Sequence, residues 1–494
     1  MKPNIVVIMT DQHRADFSKI AGFPLDTTPF LDGMAAEGTY FPRAYTSYPA
    51  CVPARTSLLT GRFPVAHRVT QNSNAAHAYY SRDLLDVLRA AGYQLLFSGK
   101  PHMHPEPADF DAYAGPYFHT GGPHERAGDA AFDEWLERLD HGVAHEPTPF
   151  PLERQLPHRI VTDTLEQVGS RTDDKPVFLW VSLPEPHNPY QVPEPYFSLF
   201  DEAEIPAPAT GAEVARARGG HWQWLQALIE EKRPGYEAEW RRYRANYCGM
   251  LRLIDDQAKR LVENVDAELP GETIYVFVSD HGDYVGEYGL QRKGAGMPEC
   301  LMRIPMFFSG STMIAEQVRP ELVSIVDVFP TLCELVGEAL PPGVQGRSLA
   351  PLLAGDGVAT GEFDSLYAER GYGGLTYGAD ERPPLHFPYD GPTFDELNTV
   401  TQSGRTKMLR FRDYKLLVHS TDQGELFDLS VDPHETKNLF EDRSLTAVRD
   451  QMIWLLLQWT LRLQDDLPEG AYTPKAADRN WAGIEASPTT TPGR

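Results

Sequence analysis

Asn4-Ile5-Val6-Val7-Ile8-Met9-Thr10 is a run of apolar, mostly β-branched residues that ends at Asp11 and Gln12, and it sets the fold class. A strand with one face in water alternates polar and apolar residues; an unbroken run has both faces covered, which marks a parallel sheet packed between helices. Runs of the same kind occur at Tyr93 to Gly99, Pro176 to Leu183, Thr273 to Ser279 and Ile304 to Ser309. Helical periodicity lies between and after them, at Asp83 to Ala91, Ala130 to Leu139, His158 to Ser170, Glu239 to Val265 and Ser324 to Val336. This alternation predicts an α/β fold with a mixed, mostly parallel sheet sandwiched by helices. Ligands of such sheets gather at the carboxyl ends of the strands. The polar residues that follow the runs are Asp11 and Gln12, Lys100 and His102, His187, and Asp280 and His281.

From about Asp364 the pattern changes. Lys407 to Val418 reads as a hairpin or meander, and Gly424-Glu425-Leu426-Phe427-Asp428-Leu429 follows it. The expected division is a catalytic α/β domain over 1–363, an α+β subdomain over 364–485 and a flexible tail over 486–494.

A chain of 494 residues exceeds what one hydrophobic core supports, in keeping with two parts. The net charge of -25 argues against nucleic acid as a partner. It also means that an anionic substrate needs cationic residues placed locally for it. No stretch approaches the roughly 18 apolar residues of a membrane span. The first residues read as a buried strand rather than a signal peptide. Cys51, Cys248, Cys300 and Cys333 are too scattered for a disulfide framework, so a cytoplasmic setting is expected.

Cys51-Val52-Pro53-Ala54-Arg55, followed by Thr60-Gly61, carries the chemistry. Alone, a cysteine is most often a small buried hydrophobe; set in this run it reads as a nucleophile site. Pro49 and Pro53 break the chain, and Ala54 to Leu59 reads as a helix start with proline in the first turn. Such a start aims free N–H groups and the positive end of the helix dipole at an anion. Arg55 adds a forked, permanently charged donor for the same oxygens. Asp11, Gln12, Asp280 and His281 form a candidate metal centre. Carboxylate and amide oxygens suit Ca²⁺, Mg²⁺ or Mn²⁺, and the imidazole leans toward Mn²⁺. The plainer role for Asp11 and Asp280 is helix capping.

The Cys-x-Pro-x-Arg run resembles the signature of type I, formylglycine-dependent sulfatases of the alkaline phosphatase superfamily, with Ala54 where many members carry Ser. The resemblance implies an alkaline-phosphatase-like fold with a small C-terminal antiparallel sheet and a closing helix, Leu445 to Leu463. It implies oxidation of Cys51 to formylglycine by a formylglycine-generating enzyme, and one divalent metal, Ca²⁺ first and Mg²⁺ or Mn²⁺ otherwise, held by Asp11, Gln12, residue 51, Asp280 and His281. Lys100-Pro101-His102 resembles the family's Lys-x-His pair, with His104 as a substitute. His187, in Pro186-His187-Asn188-Pro189, and Lys293, in Arg292-Lys293-Gly294, match the pair expected near the bridging oxygen. Asn72, 21 residues after Cys51, matches a sulfate-binding asparagine, with Asn74 as fallback. Trp222, Trp224, His119 and His124 are read as core or interface residues that could instead line a substrate pocket.

The implied reaction is hydrolysis of a sulfate ester or sulfamate through a formylglycine gem-diol and a sulfated enzyme intermediate. Two alternatives stand beside it: a phosphonate monoester or phosphodiester hydrolase with the same nucleophile, and a non-catalytic binder of sulfated ligands. The substrate class stays open among sulfated sugars, aryl sulfates and alkyl or choline-like sulfates, since variable loops such as Gly371 to Asn398 contact the leaving group. The oligomeric state is equally open, and the C-terminal helix and tail could mediate a homo-oligomer, a dimer or tetramer.

Overall fold

The computed structural model describes residues 2–358, 361–384, 396–421 and 424–464. The five foreseen strands are present as Asn4–Thr10, Gln94–Gly99, Val177–Ser182, Thr273–Ser279 and Met306–Ser309. Three short strands complete an eight-stranded sheet, in the order Ala112–Ala114, Gln94–Gly99, Val177–Ser182, Asn4–Thr10, Thr273–Ser279, Met306–Ser309, Thr39–Tyr40, Gln317–Val318. Among the described residues, Met306–Ser309 alone runs against the others. Asn4–Thr10 lies between Val177–Ser182 and Thr273–Ser279, both parallel to it, with Ile5 opposite Phe178 on one side and Ile274 on the other.

Successive strand residues point to opposite faces, and the two faces of Asn4–Thr10 feed two separate apolar layers. Ile5, Val7 and Met9 pack with the helices Cys51–Thr60, Leu84–Ala90 and Val328–Val336. Val6 and Ile8 pack with Leu156–Gly169 and the 29-residue helix Trp240–Glu268. Each of these buried aliphatic side chains contributes roughly 1.5–3 kcal/mol relative to exposure. That is why the central strand carries no polar residue between Asn4 and Thr10.

The C-terminal part is an antiparallel meander of Ser365–Gly373, Gly404–Phe411, Tyr414–His419 and Gly424–Asp428. Phe411 pairs with Tyr414 across a two-residue turn in which Arg412 takes a φ of 54°. Helix Thr446–Arg462 sends Met452, Leu456 and Trp459 into the layer that holds Ile5 and Val7, so one apolar layer runs from the large sheet into the small one. The tail expected over 486–494 lies outside the described residues, as does the end of the 364–485 segment. No described helix is long and apolar enough to cross a membrane.

Candidate active site

Parallel pairing continues past the ends of three strands and lines up the polar residues there. The Asp280 N–H donates to Thr10 O at 3.2 Å, the Lys100 N–H to Ser182 O at 2.9 Å, and the Asp11 N–H to Glu185 O at 3.2 Å. Asp11, Lys100 and Asp280 therefore emerge side by side at the carboxyl edge. Gly99 makes the approach possible: its φ is 122°, and a Cβ there would stand 1.9 Å from Ser182 O. Any side chain would push the two strand ends apart and carry Lys100 with them.

Helix Cys51–Thr60 delivers position 51 to this edge. It begins at Cys51, not at Ala54 as expected, because proline is tolerated anywhere in the first turn, where no N–H is required. Gly61, with a φ of 62°, ends it. All ten residues are buried, Arg55 included. The Val52 N–H at the helix start donates to Asn72 Oδ1 at 3.1 Å. An N–H can only donate, so the amide oxygen of Asn72 faces the helix.

The floor of the site is a set of interlocked charges. Cys51 Sγ lies 3.6 Å from Asp11 Oδ1 and 3.3 Å from His281 Nε2. The potential ligand atoms of Asp11, Cys51, Asp280 and His281 all lie within 4.8 Å of one another. Lys100 Nζ donates to Asp11 Oδ2 at 2.7 Å. Arg55 donates to Asp11 Oδ2 at 3.0 Å, Asp280 Oδ2 at 2.8 Å, Ser182 Oγ at 2.6 Å and Lys100 O at 3.1 Å. The fork expected to grip an incoming anion is thus turned on the two carboxylates, which revises Arg55 from a substrate contact to the residue that holds them. Helix capping is not what Asp11 and Asp280 do: their oxygens face Arg55, Lys100, Cys51 and, for Asp280, the N–H groups of Gln12 and His281. Burial opposes the charge of Asp11, but the Lys100 ammonium and the Arg55 guanidinium outweigh it and hold the carboxyl well below its usual range. Burial, aided by Asp11 and opposed by Lys293 and Lys100, pushes the Cys51 thiol up to about 12.

Gln12 joins the floor to the opposite side. Its Oε1 accepts from Lys293 Nζ at 2.5 Å, and its Nε2 donates to Asp283 Oδ2 at 2.7 Å. Lys293 Nζ also lies 3.4 Å from His187 Nε2, while His187 Nδ1 faces Asn188 O at 2.9 Å. The wall beyond is made of imidazoles. His119 stacks on His187 with centroids 4.4 Å apart and lies 4.8 Å from His141, and His102 faces Phe118 at 5.5 Å. Burial, first among the causes, holds His102, His119 and His187 well below the ordinary imidazole value, with Lys100 adding to it in each.

Several candidates lie elsewhere. His104 is committed to Asp83 at 2.9 Å, beside the cap of helix Leu84–Ala90. Asn74 closes its own loop by accepting from the Gln71 N–H at 3.0 Å and donating to Arg68 O at 3.2 Å. His124 pairs with Asp133 at 3.0 Å. Trp222 packs in a satellite core with Tyr284, Tyr288 and Leu301, and Trp224 donates to Glu381 O at 3.1 Å. His119 proves to be a wall residue, although nothing in its sequence neighbourhood marks it. Two further site residues had no role assigned from sequence. Asp283 receives Gln12, and its place three residues after Asp280 was the available signal. Glu396 lies 2.9 Å from Arg292 and 3.5 Å from Lys293, a long-range pairing with no local signature. Residues 385–395 of the expected substrate loop lie outside the described residues.

A family model described as Sulfatase matches residues 3–338. The chain is 28% identical over 491 residues to an arylsulfatase of Clostridium perfringens, covering 93% of this chain and 94% of that one. It superimposes on the phosphonate monoester hydrolase of Agrobacterium radiobacter with a TM-score of 0.77 at 22% identity, covering 94% and 97% of the two chains. It also superimposes on an enzyme solved with its substrate D-glucosamine-2-N,6-O-disulfate, with a TM-score of 0.70 at 20% identity, covering 94% and 98%. The structural likenesses bear out the alkaline-phosphatase-like fold.

Proposed function

The chain belongs to the sulfatase family, and from that premise we propose that it hydrolyses a sulfate ester or sulfamate to an alcohol or amine and inorganic sulfate, with formylglycine made from Cys51 as nucleophile. The observation that carries this reading is the convergence of Cys51, Asp11, Asp280 and His281 beneath Lys100 and Arg55. A sulfuryl ester repels an oxygen nucleophile, so the chemistry needs cations at its oxygens and a prepared attacking group.

The donor set fits a divalent cation. Two buried carboxylates and an imidazole face a common point at position 51, with the Gln12 backbone tied to Asp280, and hard oxygen donors favour Ca²⁺ or Mg²⁺ over softer metals. When bound, such a cation supplies positive charge to the ester oxygens. Hydrated formylglycine supplies one hydroxyl to attack sulfur and a second whose deprotonation frees the sulfate.

The chain's own residues then divide the work. Lys100 Nζ, anchored on Asp11, and Asn72, held by its amide oxygen so that its donors are turned away from the helix, bind the sulfuryl oxygens. His102 takes the proton of the second hydroxyl; its Nδ1 meets no hydrogen-bond partner among the described residues. The Asn188 carbonyl at His187 Nδ1 leaves Nε2 to exchange a proton with Lys293 Nζ. These two atoms serve the leaving oxygen, where charge grows as the bond breaks.

Phosphonate monoester and phosphodiester hydrolysis would use the same nucleophile. The deciding experiment compares kcat/KM for an aryl sulfate and a phenyl phosphonate ester, using protein produced with a formylglycine-generating enzyme. The sulfatase reading expects the sulfate to dominate; dominance of the phosphonate by orders of magnitude would overturn it. Binding of sulfated ligands without turnover by verified formylglycine protein would overturn catalysis altogether.

A further inference from the structure

Asp283 closes the turn that carries Asp280 and His281, and it is fully buried. Its four hydrogen-bond partners are all donors. Oδ2 accepts from Gln12 Nε2 and from Tyr190 OH, each at 2.7 Å; Oδ1 accepts from Tyr243 OH at 2.6 Å and from the Val285 N–H at 2.9 Å. The two tyrosines are fixed in turn, with hydroxyls 3.0 Å apart and ring centroids at 4.1 Å, and Tyr243 belongs to helix Trp240–Glu268.

An amide side chain can offer either end to a neighbour, whereas an ionised carboxylate can only accept. Facing Asp283, Gln12 must offer Nε2, so Oε1 points the other way, where Lys293 Nζ donates to it at 2.5 Å. The Gln12 backbone is pinned as well: its φ is 70°, and its N–H donates to Asp280 Oδ1 at 3.1 Å. We infer that Asp283 is a positioning residue that sets the polarity of the Gln12 amide, holding Oε1 toward Lys293 and the cation pocket. This rests on the reading of the site as a cation-dependent ester hydrolase. It also accounts for an amide rather than a carboxylate at position 12, since a second carboxylate 2.7 Å from Asp283 would face like charge, relieved only by the uptake of a proton that the amide makes unnecessary.

The test uses the full chain as wild type, Asp283→Asn, Gln12→Glu and the double variant. Three quantities are measured for each: the calorimetric Kd for Ca²⁺, the Tm of the cation-free protein, and kcat/KM. In Asp283→Asn the Gln12 amide is free to turn, and cation affinity should weaken by about tenfold or more, as is usual when a partner of a metal ligand is lost. Adding Gln12→Glu to it places oxygen at both ends of the side chain, so orientation no longer matters and affinity should recover to near the wild-type value. Gln12→Glu alone should lower the cation-free Tm, and the double variant should regain it. An Asp283→Asn protein with unchanged Kd and kcat/KM would overturn the inference. So would a double variant whose losses are the sum of the two single ones, which is what a purely structural role in anchoring the tyrosines predicts. If Asp283→Asn fails to fold, an unchanged Tm in Gln12→Glu overturns the inference and a fall supports it. A wild type that binds Ca²⁺ but turns over no sulfate ester would instead defeat the proposed activity, leaving the Kd comparison to decide the role of Asp283.

Discussion

The floor and the wall of the site follow opposite electrostatic plans. On the floor, Asp11, Arg55, Lys100 and Asp280 are fully buried, and each charge touches one of opposite sign. On the wall, His102, His119, His141 and His187 are rings that burial keeps neutral, His141 down to about 3. Fixed charge belongs where charge must be met throughout a reaction, and neutral imidazole where a proton has to move. Damage to the floor should therefore leave a buried charge unpaired, while damage to the wall should remove one proton transfer or one surface.

The largest effect that would test this contrast is at the proposed nucleophile. Cys51→Ala should lower kcat by about 10⁴-fold or more, in a protein that still unfolds cooperatively on heating. Arg55→Met comes next. It strips Asp11 and Asp280 of their shared counter-charge, and breaking such a buried pair costs about 3–5 kcal/mol. Urea unfolding that shows no loss of stability would break the description of the floor.

On the wall, His187→Asn should cost about 10²–10³ in kcat/KM with little change in stability. The loss should be largest for alcohols that leave poorly and smallest for acidic phenols; a loss independent of the leaving group would remove His187 from the leaving oxygen. A smaller effect concerns pH. Burial, aided by Arg292, depresses His141 to about 3, so its contribution to stability is present above the ordinary imidazole value of about 6.5 and is lost as pH falls toward 3. The Tm should fall over that window, and His141→Gln should flatten part of the fall. The smallest effect belongs to His104 and His124, paired with Asp83 and Asp133 away from the floor. Replacing either by Gln should leave kcat/KM within about twofold.

The same contrast explains how much could be read from sequence. The floor residues follow buried strands, and such strands announce themselves as unbroken apolar runs, so Asp11, Lys100 and Asp280 could be placed at one edge before any contact was known. Thr39–Tyr40, Ala112–Ala114 and Gln317–Val318 were not legible, because two or three residues make no pattern. The wall depends on pairings across long separations. His119 meets His187 from a connecting segment, and Glu396 reaches Lys293 from a loop 103 residues later. Arg55 was placed correctly but aimed wrongly: its spacing from Cys51 fixes the helix turn it occupies, whereas the direction of its guanidinium depends on carboxylates brought in by other strands.

The central claim is that position 51 carries an aldehyde rather than a thiol when the protein is mature. The most direct measurement is a tryptic mass map across residue 51 of protein produced with a formylglycine-generating enzyme, combined with a carbonyl-reactive probe, since the hydrated aldehyde nearly matches cysteine in mass. The account predicts a loss of roughly 18 Da at Cys51, or capture by the probe, in step with sulfate ester turnover. An unmodified thiol in protein that still hydrolyses sulfate esters would contradict it.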